Sequence, residues 1–353
     1  MSEPRLAVVA LAAGEGTRMR SALPKVLHPI CGRPMLAYVL AVADALDPAR
    51  ITLVLANDTL GGVRATFGTA SASGRPIDYA LQTERRGTGH AVLQTRASLA
   101  GQCDEVLVLF GDTPLLRPAT AQSVLDLHRA SGALVTLLSF RPASPTGYGR
   151  VVRDGSGQVL ALVEERDATP EQRAIGEANS GIMCFRAEWL WPALDRLAPS
   201  PVKGEYYMTD LVGLAVRDAG AGAVYAAEAH DEREAWGVND RVQLAQASAV
   251  IQERILDALM RGGATIINPH QTYVEHDVIV GRDTTLWPGT VLRGATRIGN
   301  RCSIGPHTTL VDSTIGDDVA ISHSVVERSL VRSGLTLEPF SYWRDVEPAS
   351  ASA

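Results

Sequence analysis

Two glycines and two cationic residues stand close together near the start of the chain, in the stretch LAAGEGTRMRSALPKVLH (residues 11–28). Gly14 and Gly16 allow backbone N–H groups to approach an anion closely, and Arg18 and Lys25 add fixed positive charge. Cations on a glycine-rich loop suit a triphosphate, because they neutralise its charge while a nucleophile attacks it. The alternative is that Arg18 and Lys25 are solvated loop charges.

The spacing of this loop excludes two common nucleotide-binding motifs. A dinucleotide fingerprint requires G-x-G-x-x-G at the start of a helix, but Met19 stands where the third glycine should be. Pro24 and Pro29 also prevent an uninterrupted helix. A P-loop requires Lys and then Ser or Thr directly after its last glycine, and these residues do not follow Gly16. What remains is a long loop that leaves the end of a strand.

A carboxylate, Asp112, follows the apolar run Glu105–Phe110, which we predict to be a buried strand. Mg²⁺ takes one or two protein oxygens together with phosphate oxygens and waters. Asp112 at a strand end is therefore a candidate Mg²⁺ ligand. The alternative is that its side chain caps a turn or a helix before Pro114.

Short apolar runs alternate with helical patterns over the first 240 residues or so. This alternation predicts a Rossmann-like α/β domain with a mostly parallel sheet covered on both faces. The predicted strands are Leu6–Leu11, 51–56, Glu105–Phe110, 133–139, 181–185 and 223–227, and the predicted helices are 34–46 and 89–99.

The pattern changes after this region. Residues 239–262 predict one long helix, which Asn239 or Asp240 could cap and Gly262 could end. Aliphatic residues then recur every six positions, as is typical of one face of a triangular β-helix rather than of an α-helix. The aliphatic positions are Val274, Val280, Leu286, Leu292, Ile298, Ile304 and Leu310. An ordinary β-sandwich is the alternative.

These patterns predict four segments: a Rossmann-like α/β domain at 1–238, a linking helix at 239–265, a short parallel β-helix of hexapeptide repeats at 266–345, and a disordered tail at 346–353. The formal net charge of −6 argues against a general nucleic-acid binder. Four scattered cysteines, without a CxxC pair, are expected to be free thiols. No apolar run is long enough for a membrane helix, and we expect a cytoplasmic protein.

Eight ordered motifs resemble one family. They are LAAGEGTRM with LPKVLH, LQTERRGTGHA (81–91), LFGDTPLL (109–116), PTGYGRVV (145–152), LVEERDAT (162–169), EANSGI (177–182), GEYYMTD (204–210) and GVNDRVQLA (237–245). The first alone resembles sugar-nucleotide pyrophosphorylases in general. Together, in this order, they resemble the uridylyltransferase half of bacterial bifunctional N-acetylglucosamine-1-phosphate uridylyltransferase/glucosamine-1-phosphate acetyltransferases, which supply a peptidoglycan precursor. The linking helix and hexapeptide repeats match as well. The resemblance therefore implies that residues 1–238 form a nucleotidyltransferase domain and that the β-helix at 266–345 is left-handed.

The resemblance implies that UTP and N-acetylglucosamine 1-phosphate react to UDP-N-acetylglucosamine and pyrophosphate, by in-line attack on the α-phosphorus. It implies that Asp112 and Asn239 hold Mg²⁺ and that Arg18 and Lys25 are catalytic; alone, Asn239 could equally be a helix cap. The implied nucleotide-binding residues are Leu11, Ala12, Gly14, Gln82, Gly87, Thr88 and Gly111. The implied sugar-phosphate residues are Gly149, Glu164, Asn179, Tyr207 and Thr209.

The chain departs from the family pattern in several places. Phe110 stands where relatives carry Tyr, Ser180 replaces Thr, and Arg166 replaces Lys. The β-helix of bifunctional relatives continues further, so we expect no acetyltransferase activity, and a homotrimer through the shorter β-helix is an open expectation. Two other hypotheses remain: a thymidylyl- or uridylyltransferase acting on glucose 1-phosphate, and a catalytically inactive β-helix scaffold or regulatory paralogue.

Overall fold

The computed structural model describes residues 4–200 and 204–347. Within them the chain forms two compact units. The first unit comprises residues 4–28 and 34–243, and the second comprises residues 29–33 and 244–347. The predicted boundary at 238 and the separate linking segment stay predictions. The predicted disordered tail lies outside the described residues from 348 on. Its first residue, Val346, is bonded to the preceding coil: its carbonyl accepts from Leu330 N–H, and its N–H donates to the Ser329 hydroxyl oxygen.

The first unit is an α/β structure in which strands and helices alternate. Its strands are β1 (Leu6–Leu11), β4 (Arg50–Leu55), β5 (Ile77–Leu81), β6 (Glu105–Phe110), β7 (Val135–Phe140), β8 (Arg150–Arg153), β9 (Val159–Val163), β10 (Ala178–Arg186) and β11 (Val224–Glu228). The short strands β2 (Pro29–Ile30) and β3 (Arg33–Pro34) interrupt this series.

Helices follow most of these strands. They are α1 (Met35–Ala45), α2 (Asn57–Phe67), α3 (Thr88–Leu93), α4 (Arg96–Leu99), α5 (Pro118–Ser131), α6 (Pro170–Arg173), α7 (Ala187–Leu194) and α8 (Asp210–Ala219). The predicted helix at 89–99 is divided into α3 and α4. Single 3-10 turns occur at Thr17–Met19, Lys25–Leu27, Ala221–Ala223 and Glu232–Ala235.

The main sheet has the order β11-β7-β10-β6-β1-β4-β5, and β8 and β9 extend it beside β10. Strand β1 pairs in parallel with both β4 and β6, whereas β10 runs antiparallel to β6 and β7. All six residues of β1 are buried, because alternate side chains enter cores on opposite faces of the sheet: Val9 and Leu11 on one, Val8 and Ala10 on the other. The predicted Rossmann-like, mostly parallel architecture is confirmed.

The sequence analysis missed strands β2, β3, β5, β8 and β9 and helices α2, α5, α6, α7 and α8. Strand β5 lies at the sheet edge with half-buried polar residues, and β8 and β9 form a peripheral antiparallel ladder. Strands β5 and β8 therefore lack the continuous apolar run that identifies β1 and β6, whereas β9 has such a run but is only partly buried. Helix α2 contains Gly61 and Gly62, and glycine lowers helix propensity. The helix is therefore stabilised by the packing of buried Val63 rather than by the intrinsic helix propensity of its residues.

The second unit contains most of a long helix and a parallel β-helix. Helix α9 (Arg241–Arg261) belongs to it from Leu244 on. The coil strands are β12 (Thr265–Ile266), β13 (Tyr273–Val274), β14 (Ile279–Val280), β15 (Thr285–Leu286), β16 (Val291–Arg293), β17 (Arg297–Ile298), β18 (Ser303–Ile304), β19 (Thr309–Val311), β20 (Thr314–Ile315), β21 (Ala320–Ile321), β22 (Val325–Glu327), β23 (Leu330–Val331) and β24 (Tyr342–Arg344). A 3-10 turn spans Pro269–Gln271.

Each strand from β12 to β20 pairs in parallel with the third strand after it, and β22 pairs with β24, which gives the three sheets of a triangular coil. The predicted aliphatic column is buried at Leu286, Leu292, Ile304 and Leu310, and Val280 is half-buried. Paired residues lie 18 positions apart in the first coils, as for Leu292 and Leu310. Later turns are shorter, so that Leu310 pairs with Val326. The predicted hexapeptide β-helix is confirmed, and its pairing continues to β24, beyond the point where the sequence pattern fades.

The four cysteines are buried free thiols. Among the residues that the structure describes, no helix combines the length and the apolar character needed to cross a bilayer.

Burial of His128 makes the stability of the first unit depend on pH. The imidazole is 4% exposed and lies 3.0 Å from the Thr136 hydroxyl. Burial, with a smaller contribution from Arg186 and Arg129, lowers its pKa from the ordinary 6.5 to about 4. The neutral ring is therefore favoured in the folded state. Full stability is present above pH 6.5 and is lost as the pH falls from 6.5 towards 4, by up to about 3 kcal/mol.

We expect the His128→Gln variant to lose less stability than the wild type between pH 7 and pH 4. Denaturant unfolding curves at several pH values measure this difference. His230→Gln, which removes an exposed histidine of the same unit, is the matched control. Equal pH slopes for the wild type and His128→Gln would contradict the prediction.

Candidate functional site

The predicted site residues lie at the carboxyl ends of neighbouring strands. Ala12 follows β1, Gln82 follows β5, and Gly111 and Asp112 follow β6. Backbone hydrogen bonds hold these ends together: Ala12 N–H donates to the Val54 carbonyl at 2.8 Å, and Gly111 N–H donates to the Leu11 carbonyl at 2.9 Å. In an open α/β sheet, ligands bind outside this edge.

Two adjoining clefts open at this edge. Leu11, Ala12, Gly14, Lys25, Gln82, Gly87, Thr88, Phe110, Asp112 and Tyr207 are among the residues that line the first cleft. Arg18, Thr88, Phe110, Gly149, Glu164, Arg166, Asn179, Tyr207 and Thr209 are among those that line the second. Thr88, Phe110 and Tyr207 line both clefts, so the two clefts are neighbours. The predicted nucleotide residues other than Gly111 thus line the first cleft, and all five predicted sugar-phosphate residues line the second.

The two turns of the glycine-rich loop that carry Arg18 and Lys25 are both held in place by buried side chains. Gly16 has a φ of 64°, and a Cβ atom there would lie 2.8 Å from the Cβ of Lys25, so only glycine fits without strain. Met19, which breaks the dinucleotide motif, is buried and anchors the turn that carries Arg18. The turn that begins at Lys25 is anchored by the buried Val26 in the same way. Arg18 itself is exposed at the second cleft.

Lys25, Asp112 and Asn239 meet in one cluster. The Lys25 ammonium lies 2.5 Å from Asp112 Oδ2 and 3.2 Å from Asn239 Oδ1. Its side chain is 10% exposed and that of Asp112 is 20% exposed. Val238 N–H donates to the Asp112 carbonyl at 2.8 Å, which positions Asn239. A single cation is thus held between a carboxylate oxygen and an amide oxygen.

Neither Asp112 nor Asn239 is a helix cap. Asp240 caps helix α9, because its Oδ1 accepts hydrogen bonds from Val242 and Gln243 N–H, both at 2.9 Å. The helix after Asp112 begins only at Pro118. The oxygens of Asp112 and Asn239 therefore have no capping role that would compete with binding a cation.

The chemistry of this oxygen pair fits Mg²⁺. Carboxylate and amide oxygens are the protein ligands that this hard cation prefers, with the remaining positions left to waters and phosphates. Both oxygens already contact the same positive charge. Among residues 4–200 and 204–347, no group of three or more His, Cys, Asp and Glu side chains could hold a metal ion.

Gln82 lies at the inner end of the first cleft and is 4% exposed. Its amide nitrogen donates to the Gly87 carbonyl at 3.0 Å and lies 3.1 Å from His90 Nδ1. Burial lowers the pKa of His90, which favours a neutral ring. A Cβ at Gly87, where φ is 98°, would lie 2.5 Å from the Tyr206 carbonyl. Glycine therefore permits the close approach of these two segments.

The second cleft is lined by polar groups whose positions are fixed. Asn179 Oδ1 accepts from Gly181 N–H at 3.0 Å, and Asn179 N–H donates to the Gly149 carbonyl at 2.8 Å. The Thr209 hydroxyl donates to Glu164 Oε1 at 3.1 Å. Burial, and then nearby Glu205, raise the pKa of Tyr207, so its phenol remains a neutral hydrogen-bonding group.

Three sequence departures are explained locally. The Phe110 ring packs against Gly181, where a Cβ would lie 2.7 Å from the ring, so the position serves packing between the clefts without a hydroxyl. The Ser180 hydroxyl donates to the Leu138 carbonyl at 2.7 Å. Arg166 keeps a cationic side chain at the second cleft.

The sequence analysis missed Arg85, which supports the glycine-rich loop. Its Nε donates to the Ala13 carbonyl at 2.7 Å, and its terminal nitrogen donates to both Asp58 oxygens at 2.6 and 2.7 Å. The residue thus ties the loop to the start of helix α2. Its membership of the motif LQTERRGTGHA is the only sequence signal, because the contact joins segments distant in the chain.

We expect Arg85→Ala to loosen the loop after β1, because a charge-assisted hydrogen bond to its backbone is lost. Hydrogen exchange of the Met19 and Arg20 amides, which are bonded to the carbonyls of Gly16 and Thr17, should accelerate by on the order of tenfold. Arg86→Ala is the control, since the Arg86 guanidinium stacks on the Tyr206 ring and makes no contact with the loop. Unchanged exchange in Arg85→Ala would contradict this role.

The chain is similar to known proteins over most of its length. The nucleotidyl transferase family profile matches residues 7–346. The bifunctional protein GlmU of Trichlorobacter lovleyi is 46% identical over 340 residues, which cover 96% of this chain and 72% of that protein. GlmU of Halalkalibacterium halodurans is 44% identical, covering 98% and 73%. GlmU of Thermobifida fusca is 45% identical, covering 92% and 67%.

A solved structure supports the fold alone. A Bacillus anthracis crystal structure named for glucose-1-phosphate thymidylyltransferase, in complex with sucrose, has a TM-score of 0.57 and 18% identity. It covers 69% of this chain and 94% of its own. From the profile match and the GlmU relatives, the chain belongs to the nucleotidyl transferase family and is a sugar-1-phosphate nucleotidyltransferase of the GlmU group.

Proposed function

We propose that the protein transfers UMP from UTP to N-acetylglucosamine 1-phosphate, giving UDP-N-acetylglucosamine and pyrophosphate. The observation that carries this proposal is the pair of contiguous clefts, with Lys25 in the first and Arg18 in the second. A nucleotide in the first cleft and a sugar phosphate in the second would meet beside Thr88, Phe110 and Tyr207, which both clefts share.

The mechanism we propose is positioning combined with charge stabilisation. The sugar phosphate oxygen forms a bond to the α-phosphorus of UTP while the bond to pyrophosphate breaks in line. The nucleophile is already ionised at neutral pH, so no general base is required. Arg18 and Lys25 neutralise the charge that builds up on the phosphate oxygens. When bound, Mg²⁺ would be held by Asp112 and Asn239 and would screen the charge of the triphosphate.

The first cleft suits a pyrimidine nucleotide. The buried Gln82 offers its carboxamide oxygen as an acceptor to a base edge, while its amide nitrogen is held by the Gly87 carbonyl and His90. Gly87 and Thr88 bring backbone and a hydroxyl to the same place. Leu11, Ala12, Gly14 and Gly111 supply backbone groups, and the small residues of this loop let a nucleotide approach closely.

The second cleft suits an N-acetylated sugar phosphate. Glu164 supplies acceptors for sugar hydroxyls, and Asn179 supplies an amide for an N-acetyl group. Gly149 lies beside Glu164 in the same wall, since a Cβ there would be in ordinary van der Waals contact with a Glu164 oxygen at 3.7 Å. Tyr207 and Thr209 add hydroxyls to the same wall.

We expect Asp112→Asn to lower kcat/KM by about 10²–10³-fold, because a carboxylate that holds the metal is replaced by a neutral amide. Pyrophosphate release in the presence of Mg²⁺, UTP and N-acetylglucosamine 1-phosphate measures this. Asp104→Asn is the control, since Asp104 forms an exposed ion pair with Arg5 at the opposite end of β6. Activity near the wild-type value in a folded Asp112→Asn protein would exclude the proposed metal role.

We expect UTP with N-acetylglucosamine 1-phosphate to give the fastest pyrophosphate release among parallel reactions. The other reactions contain dTTP or glucose 1-phosphate. A preference for either of these would retain the fold and the mechanism but reject the proposed specificity. No release in any reaction would favour a catalytically inactive scaffold, although Arg18, Lys25, Asp112 and Asn239 are all present at the site.

Three further expectations remain predictions. Sedimentation would test a homotrimer formed through the β-helix, and an acetyl-coenzyme A assay with glucosamine 1-phosphate would test the absence of acetyltransferase activity. Cell fractionation would test the cytoplasmic location.

A further inference from the structure

The Lys25 ammonium occupies the place where a divalent cation would bind. It lies 2.5 Å from Asp112 Oδ2 and 3.2 Å from Asn239 Oδ1, the two oxygens to which the proposed function assigns Mg²⁺. Mg²⁺ binds oxygens at about 2.0–2.1 Å. An ammonium and a metal ion cannot both contact Asp112 Oδ2 from the same side, so binding of the ion requires Lys25 Nζ to leave.

The backbone of Lys25 is fixed, so only the side chain can move. Its 3-10 turn is anchored by Val26 and Leu27, both buried. Gly16 packs closely against Lys25 Cβ. Four methylene carbons nevertheless separate the Lys25 backbone from Nζ. Rotation about the bonds between them can bring the ammonium to a second acceptor without moving the backbone.

A second place for the ammonium lies beside the first. A Cβ built on Gly14 would be 3.9 Å from Lys25 Nζ, so the ammonium already borders the glycine-rich loop where the triphosphate is proposed to bind. In that position the phosphate oxygens would replace Asp112 as its partners. The net exchange leaves neither the carboxylate nor the ammonium without an opposite charge, which keeps the electrostatic cost of the exchange low.

We propose that Lys25 is a displaceable counter-ion, which neutralises Asp112 in the metal-free protein and moves to the phosphates when a divalent cation binds. The inference rests on the proposed function, because it uses the metal role of Asp112 and Asn239. Lys25 therefore opposes metal binding in the absence of nucleotide and favours nucleotide binding. Metal and nucleotide then stabilise each other's binding through one side chain.

The test is titration of the full-length protein with Mn²⁺ alone, followed by electron paramagnetic resonance of the free ion. We expect Lys25→Met to bind Mn²⁺ at least tenfold more tightly than the wild type, because the competing ammonium is gone while most of the side-chain stem is kept. Lys25→Gln, which also lacks the charge, serves as a second variant if Lys25→Met does not fold. Asp112→Asn in the Lys25→Met background should abolish the gain.

A matched control separates competition at one site from a general effect of charge. Arg18→Met removes the same charge from the same loop without touching Asp112, and its Mn²⁺ affinity should change less than twofold. Equal gains in Arg18→Met and Lys25→Met, an unchanged affinity in Lys25→Met, or no Mn²⁺ binding by a folded Lys25→Met protein would each overturn the proposal. Because no substrate is present, an error in the proposed substrates would leave these results unchanged, and the substrate assay would reveal it separately.

Discussion

The parallel pairing of β1 with β4 on one side and β6 on the other is the constraint on which the first unit depends. This pairing fixes the register of Leu11 against Val54 and Phe110. Everything that leaves the sheet at this edge is therefore brought together: the glycine-rich loop, the segment after β6, and the segment after β5. A slip of one residue would exchange the buried faces of β1, and both cores oppose it.

The elements that could be predicted from sequence are those whose local pattern agrees with their burial. Strands β1 and β6 are covered on both faces, so their apolar runs mark their limits correctly. The hexapeptide repeat is visible because each coil buries its aliphatic residue against the coils before and after it. Strands β8 and β9, by contrast, are short and only partly buried, and their place in the sheet depends on pairing with each other and of β8 with β10.

The kind of chemistry at the site could be predicted from residue types, whereas the contacts between its side chains could not. Glycine, arginine, lysine and aspartate at strand ends indicate phosphate and metal by residue type alone. The contact of Lys25 with Asp112 and Asn239 joins residues 87 and 214 positions apart, and no local pattern encodes it. Assignment of the helix cap to Asp240 rather than Asn239 likewise depends on the side-chain direction of neighbouring residues, which the sequence leaves open.

The hydrogen bond from Val238 to the Asp112 carbonyl has a consequence for synthesis of the protein. Residues 238–243 are the last of the first unit, yet they complete a cluster whose other members are near its beginning and its middle. Domains fold as units while the chain leaves the ribosome. A nascent chain that already carries the loop and Asp112 thus still lacks Asn239, and the oxygen pair forms only when the whole unit has emerged.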